Sequence, residues 1–118
     1  DINLITLLLG ATDSGLEILG KDGEWIPVES TADEIVLDTG DMMSRLTNEV
    51  FPSTVHRVVN PGAQNRSRFS MPFFLHPHSN ASLACLPQCE GENGPKYPPI
   101  TAGEFLQQRL REIGLLEN

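Results

Sequence analysis

A mainly β fold, closed by one C-terminal helix, is what this sequence predicts, on three observations. Seven short, apolar-rich runs follow one another through the first two thirds of the chain. Gly, Pro, Asn and Asp punctuate them, the pattern of short strands in a sandwich, jelly roll or barrel. A capping signal and a 3.6-residue apolar period then mark a single helix over 101–114.

The first run, "INLITLLL", is almost continuously apolar, as a buried strand is. "GLEIL" and "EWIPV" flank Gly20-Lys21-Asp22-Gly23, and the Asp22-Gly23 pair is a hairpin signal. "EIVLD" leads into a turn at Thr39-Gly40-Asp41. "MMSRLTN", "TVHRVVN" and "SRFSMPFFL" are three further strand candidates. The stretch 77–99 holds five of the nine prolines and two of the ten glycines, too many breakers for a regular element, and reads as an irregular surface segment. In the helix, Thr101 is the N-cap and Glu104 the residue that reaches back. Phe105, Leu106, Leu110 and Ile113 form the apolar stripe, and Gly114 supplies the stop.

The chain's 118 residues suit a single domain. With 8 basic and 16 acidic residues, its formal net charge is −8, which argues against nucleic acid and against an anionic membrane surface as partners. No apolar run reaches transmembrane length. One cysteine pair, Cys85 and Cys89, does not make a disulfide framework and reads as free thiols in a reducing cytosol.

Three groups could carry chemistry. Asp1 stands at the mouth of the first strand, where a carboxylate is costly unless paired, solvated or bound to metal. His56 lies in the strand "TVHRVVN", with Val58 on its face and Arg57 on the other. On residues alone, a strand histidine is more often an ordinary hydrogen-bonded side chain than a ligand. Arg68 and Ser70, two apart, share a face and could bind a carboxylate, although a solvated strand face accounts for them as well. His76, His78, Cys85 and Cys89 could hold zinc, but prolines interrupt their loose spacing, and a surface segment explains them better. No P-loop, nucleophile elbow or dinucleotide fingerprint is present.

Taken in order, "DINLITLLLG", "GLEILGKDGEWIPV", "TGDMMSRLTN", "STVHRVVNP" and "RSRFSMPFF" resemble the isopenicillin N synthase-like family of non-haem Fe(II) oxygenases, over essentially the whole chain. The resemblance implies a double-stranded β-helix, or jelly roll, with the N-terminal part of the fold missing. It implies an iron site built on a two-histidine, one-carboxylate triad, in which Asp1 matches the aspartate of a His-x-Asp motif and His56 the distal histidine. Arg68 and Ser70 match the family's Arg-x-Ser motif, which holds the far carboxylate of 2-oxoglutarate. The family's first histidine belongs two residues before Asp1, so the chain resembles the C-terminal part of a longer enzyme. The implied cofactors are Fe(II) and 2-oxoglutarate, with ascorbate as a further candidate. The implied partners are O₂ and a small organic substrate, with succinate and CO₂ as coproducts and a cytoplasmic location. Two alternatives stay open: an oxidase of the isopenicillin N synthase type that uses no 2-oxoglutarate, and a non-catalytic jelly-roll binding module.

Overall fold

The computed structural model describes residues 1–60 and 67–117. Its elements are β1 (Ile5–Leu9), β2 (Leu16–Leu19), β3 (Trp25–Pro27), β4 (Ile35–Thr39), α1 (Asp41–Leu46), β5 (His56–Val58), β6 (Met71–Leu75), a 3₁₀ turn at Pro87–Cys89, and α2 (Ala102–Glu112). The strands form two three-stranded sheets, ordered β4-β1-β6 and β3-β2-β5. Among the described residues, no helix is long and apolar enough to cross a membrane.

The expectation of a strand over 42–48 is corrected: this run is helix α1. Met42, Met43 and Leu46 recur at helical rather than alternating spacing. Asp41 stands in the first turn and Arg45 in the last, where each complements the helix dipole. The Asp22-Gly23 hairpin forms as expected: Gly23 takes φ +85°, and Gly20 N–H donates to Glu24 O at 2.8 Å. The strand expected over 67–75 begins only at Met71. Ahead of it, Phe69 and Thr12 bond to each other through both main chains and the Thr12 hydroxyl, which takes the place of a regular ladder.

The chain divides into two compact units. The first comprises Asp1–Thr6, Thr39–Ser53 and Phe74–Asn118. Its core is Met42, Leu83, Ala102 and Phe105, with Ile2, Leu4, Ile100 and Leu106 packed against it. Leu83 is only 2% exposed, so the proline-rich stretch gives the core one of its central side chains. Helix α2 starts as its sequence indicates: Thr101 Oγ1 accepts from Glu104 N–H, and the Glu104 carboxylate accepts from Thr101 N–H.

Asn48 and Glu49 adopt left-handed backbone, at φ 52° and 67°. Asparagine tolerates that region better than most residues, and here its side chain compensates for the strain. Asn48 Nδ2 donates to the carbonyls of Cys89, Glu90 and Gly94, and Oδ1 accepts from Lys96 N–H. The Glu49 carboxylate accepts from Lys96 Nζ and Tyr97 OH, which hold it below the usual carboxylate range. Arg45 completes the knot: Nη2 donates to Pro98 O at 2.6 Å, and the guanidinium lies over the Tyr97 and Phe105 rings.

The second unit comprises Leu7–Asp38 and Thr54–Phe73. It holds the sheet β3-β2-β5, all antiparallel. In its register Ile18 faces both Ile26 and His56, and Glu17 faces both Pro27 and Arg57. Pleat alternation therefore puts His56 with Leu16, Ile18, Ile26 and Val58 on one face, and Arg57 with Glu17 and Trp25 on the other.

Candidate metal centre

Asp1 belongs to the first unit. Its Oδ2 accepts from the Thr6 hydroxyl at 2.6 Å, and Thr6 Oγ1 accepts in turn from Asn3 Nδ2 at 2.8 Å. Asn3 is 1% exposed and Thr6 6%, so this chain of hydrogen bonds orients the carboxylate from a buried base. The main chain of Asp1 is fixed as well, because its carbonyl accepts from Asp41 N–H at 2.8 Å and that of Asn3 from Met42 N–H at 3.2 Å. The N-terminal turn of α1 thus grips the segment carrying Asp1.

Gly40 makes this grip possible. A Cβ there would overlap Asn3 O and Oδ1 and come within 2.8 Å of Asp1 O. Gly40→Ala is therefore expected to destabilise the protein by about 1–3 kcal/mol through overpacking. Urea titration checks this, since the midpoint should fall at an unchanged slope. A midpoint equal to that of the wild type would show that the backbone around Asn3 gives way freely.

His56 belongs to the second unit, at the start of β5. Its Nδ1 lies 3.1 Å from Thr54 O and 3.6 Å from Asp38 Oδ2. A carbonyl can only accept, so in the neutral ring Nδ1 carries the hydrogen and Nε2 the lone pair. This is the tautomer a metal ligand needs, with the second nitrogen held from behind. Imidazole nitrogen and carboxylate oxygen are donor types that suit non-haem Fe(II), so the chemistry of His56 and Asp1 fits that ion.

The sequence does not single out Asp38. It ends "EIVLD", where a carboxylate reads as the polar end of a strand before a turn, and nothing local signals a partner 18 residues later. The structure places it beside His56, half-buried, and both carry atoms able to bind a metal ion. Among the described residues, no group of three metal-binding side chains includes His76, His78, Cys85 or Cys89. His78 Nδ1 instead accepts from Asn80 N–H in a turn, and both cysteines are free.

Arg68 and Ser70 come together although the regular strand starts after them. Arg68 Nη1 lies 3.4 Å from Ser70 Oγ, and Nε donates to Asp13 O at 3.2 Å. Arg68 lines a cavity of about 270 Å³ within the second unit, with Leu8, Leu16 and Val28 among its apolar walls and Thr12 and Ser14 among its polar ones. Asp13 and Glu29 line it too, so the lining is mixed; within it the guanidinium, anchored through Nε, is the group suited to a small carboxylate.

Comparison with known proteins places these features in a family. Residues 1–77 match the family model of the 2OG-Fe(II) oxygenase superfamily. The chain is 38% identical over 115 residues to the 2-oxoglutarate-Fe(II) type oxidoreductase hxnY of Emericella nidulans, covering 95% of this chain and 32% of that protein. Among solved structures, it is similar to a 2OG-Fe(II) oxygenase family protein from Caulobacter crescentus, with a TM-score of 0.88, 54% identity, and coverage of 96% of this chain and 38% of that one. It is similar also to a full-length Neurospora crassa protein in complex with alpha-KG, with a TM-score of 0.86, 32% identity, and coverage of 94% and 35%. The chain spans about a third of the length of the curated relatives it matches. The fold is the jelly roll of these oxygenases, followed by a C-terminal helix. With the family model covering both the Asp1 strand and the Arg68–Ser70 pair, the chain belongs to the 2OG-Fe(II) oxygenase superfamily.

Proposed function

We propose that the whole protein is an Fe(II)- and 2-oxoglutarate-dependent oxygenase acting on a small organic molecule, and that this chain carries much of its cofactor-binding apparatus. The observation that carries the reading is the Arg68–Ser70 pair, with Arg68 on a cavity of mixed polar and apolar lining. 2-Oxoglutarate is a dicarboxylate, and one end needs a fixed cation when the other chelates a metal. Among similar solved structures, the Neurospora crassa protein was captured with alpha-KG and thymine, and JOX2 with 2OG, Fe and JA.

In this reading Asp1 and His56 are two of the metal ligands, and Arg68 and Ser70 orient the cosubstrate. Bound Fe(II), with 2-oxoglutarate and O₂, supplies the oxidising power. The protein's own part is positional. Thr6 holds the plane of the Asp1 carboxylate through Oδ2. Thr54 O keeps the proton on Nδ1 of His56. Arg68 and Ser70 would grip the far carboxylate, with Leu8, Leu16 and Val28 offering apolar contact to the carbon chain.

The test is cosubstrate-dependent turnover by the whole protein. Succinate should form only with Fe(II), 2-oxoglutarate and O₂ all present, one molecule for each 2-oxoglutarate consumed. Oxygen uptake driven by a substrate alone would overturn the 2-oxoglutarate reading in favour of the oxidase type.

A further inference from the structure

We propose that Asp38 is a positioning residue for the metal site: its carboxylate stands behind His56 and stabilises the positive charge the imidazole takes on when Nε2 binds a cation. The inference rests on the reading of His56 as a metal ligand. Two acceptors converge on Nδ1 of His56. Thr54 O, at 3.1 Å, is within hydrogen-bond reach and fixes where the hydrogen sits. Asp38 Oδ2, at 3.6 Å, is too far for a hydrogen bond but close enough for an ion pair.

The two acceptors do different work. Thr54 O selects the tautomer, and a neutral carbonyl is enough for that. Asp38 adds a full charge, carried on β4. When Nε2 gives its lone pair to a cation, electron density leaves the ring and Nδ1–H becomes more positive. A carboxylate 3.6 Å away favours that polarised ring over the metal-free one, and so makes Nε2 a stronger donor. From this side Asp38 meets the ring nitrogen that carries the hydrogen, not the one that carries the lone pair, so it acts through His56. The chain holds the two groups together: Thr39 Oγ1, next to Asp38, donates to Pro52 O at 2.8 Å. That bond ties the stretch leaving Asp38 to the stretch approaching His56.

The experiment uses the whole protein with two readouts. The first is the Co(II) dissociation constant, with the d–d spectrum of the bound ion. The second is the urea midpoint of the metal-free protein. Asp38→Asn removes the charge and keeps the size. It should weaken Co(II) binding about tenfold, the scale of losing a group that stands behind a ligand. The shape of the d–d spectrum and the urea midpoint should stay as in the wild type. Asp38→Glu keeps the charge on a longer arm and should recover part of the affinity; it also carries the test if the asparagine variant fails to fold. His56→Ala should abolish Co(II) binding. If His56→Ala binds Co(II) as the wild type does, the ligand reading fails, and the role of Asp38 with it. If His56→Ala loses the metal but Asp38→Asn binds as the wild type, only the proposal for Asp38 is overturned. A loss of more than about a hundredfold in Asp38→Asn, beyond the range for a group behind a ligand, with an altered d–d spectrum, would make Asp38 a ligand itself and overturn the positioning role. Weaker binding that comes with a lower urea midpoint, and that Asp38→Glu does not recover, would overturn it in favour of a purely structural residue.

Discussion

Replacing His56 with alanine is expected to abolish iron-dependent turnover and to weaken Fe(II) binding by more than about a hundredfold. Residues standing behind a metal ligand already account for about 10- to 100-fold in affinity, and His56 is proposed as a ligand itself. Its place is set by the main chain: register opposite Ile18 fixes the Cα, and Thr54 O at 3.1 Å fixes the ring tautomer. No neighbouring group on β5 could substitute, since Arg57 turns to the other face and cannot serve as a ligand at neutral pH. The check is an Fe(II) titration under anaerobic conditions alongside turnover, with circular dichroism to show that the variant is folded. Because His56 is half-buried rather than in the core, folding should survive. A folded His56→Ala protein with the iron affinity of the wild type would sink the ligand assignment.

Arg68→Ala is expected to raise the KM for 2-oxoglutarate by about 30-fold or more, with a smaller change in kcat at saturation. Removing one partner of a desolvated, hydrogen-bonded charge pair costs about 2–5 kcal/mol, and about 1.4 kcal/mol is tenfold in affinity. The split matters as much as the size. Arg68 is proposed to bind the end of the cosubstrate that does not react, so its loss should weaken binding before it slows chemistry. Arg68→Lys should recover part of the affinity, because it restores charge without the planar fork. Ser70→Ala should have a smaller effect, about 1 kcal/mol for a single neutral hydrogen-bonding group. Steady-state kinetics with 2-oxoglutarate as the varied reactant decides this. An unchanged KM would mean that the Arg68 cavity is not the cosubstrate site.

Local signals carry much of the architecture. The Asp22-Gly23 turn, the Thr101–Glu104 capping box and the strands around His56 are short-range patterns whose chemistry is complete within a few residues. Helix α1 escapes such a reading because a six-residue helix offers hardly two turns of period, and a run led by two methionines suits a strand equally well. Leu83 is hidden among prolines, since breakers exclude regular structure but not burial. Among the candidate site residues, Arg68 and Ser70 lie within reach of each other although the strand their spacing suggested starts only at Met71. The placement of Asp38 beside His56 does not follow from spacing, because it depends on where the fold brings two strands of the second unit. Nor does the grip of Arg57 on Trp25, which needs the order of three strands rather than the residues of one.

The first unit gathers three stretches of chain that lie far apart in sequence. Its core joins Met42 and Leu83 to Ala102 and Phe105, the last two contributed by α2. Contacts of such long range form only after the intervening chain exists, so they are late and slow. During synthesis, the Asp1 segment, with its network through Thr6 and Asn3, must wait until α2 has left the ribosome before its own unit can close around it. A nascent chain stalled before Phe105 would carry the strands around His56 but lack two members of the core beside the Asp1 segment, Ala102 packing only with its helix and Phe105 being absent.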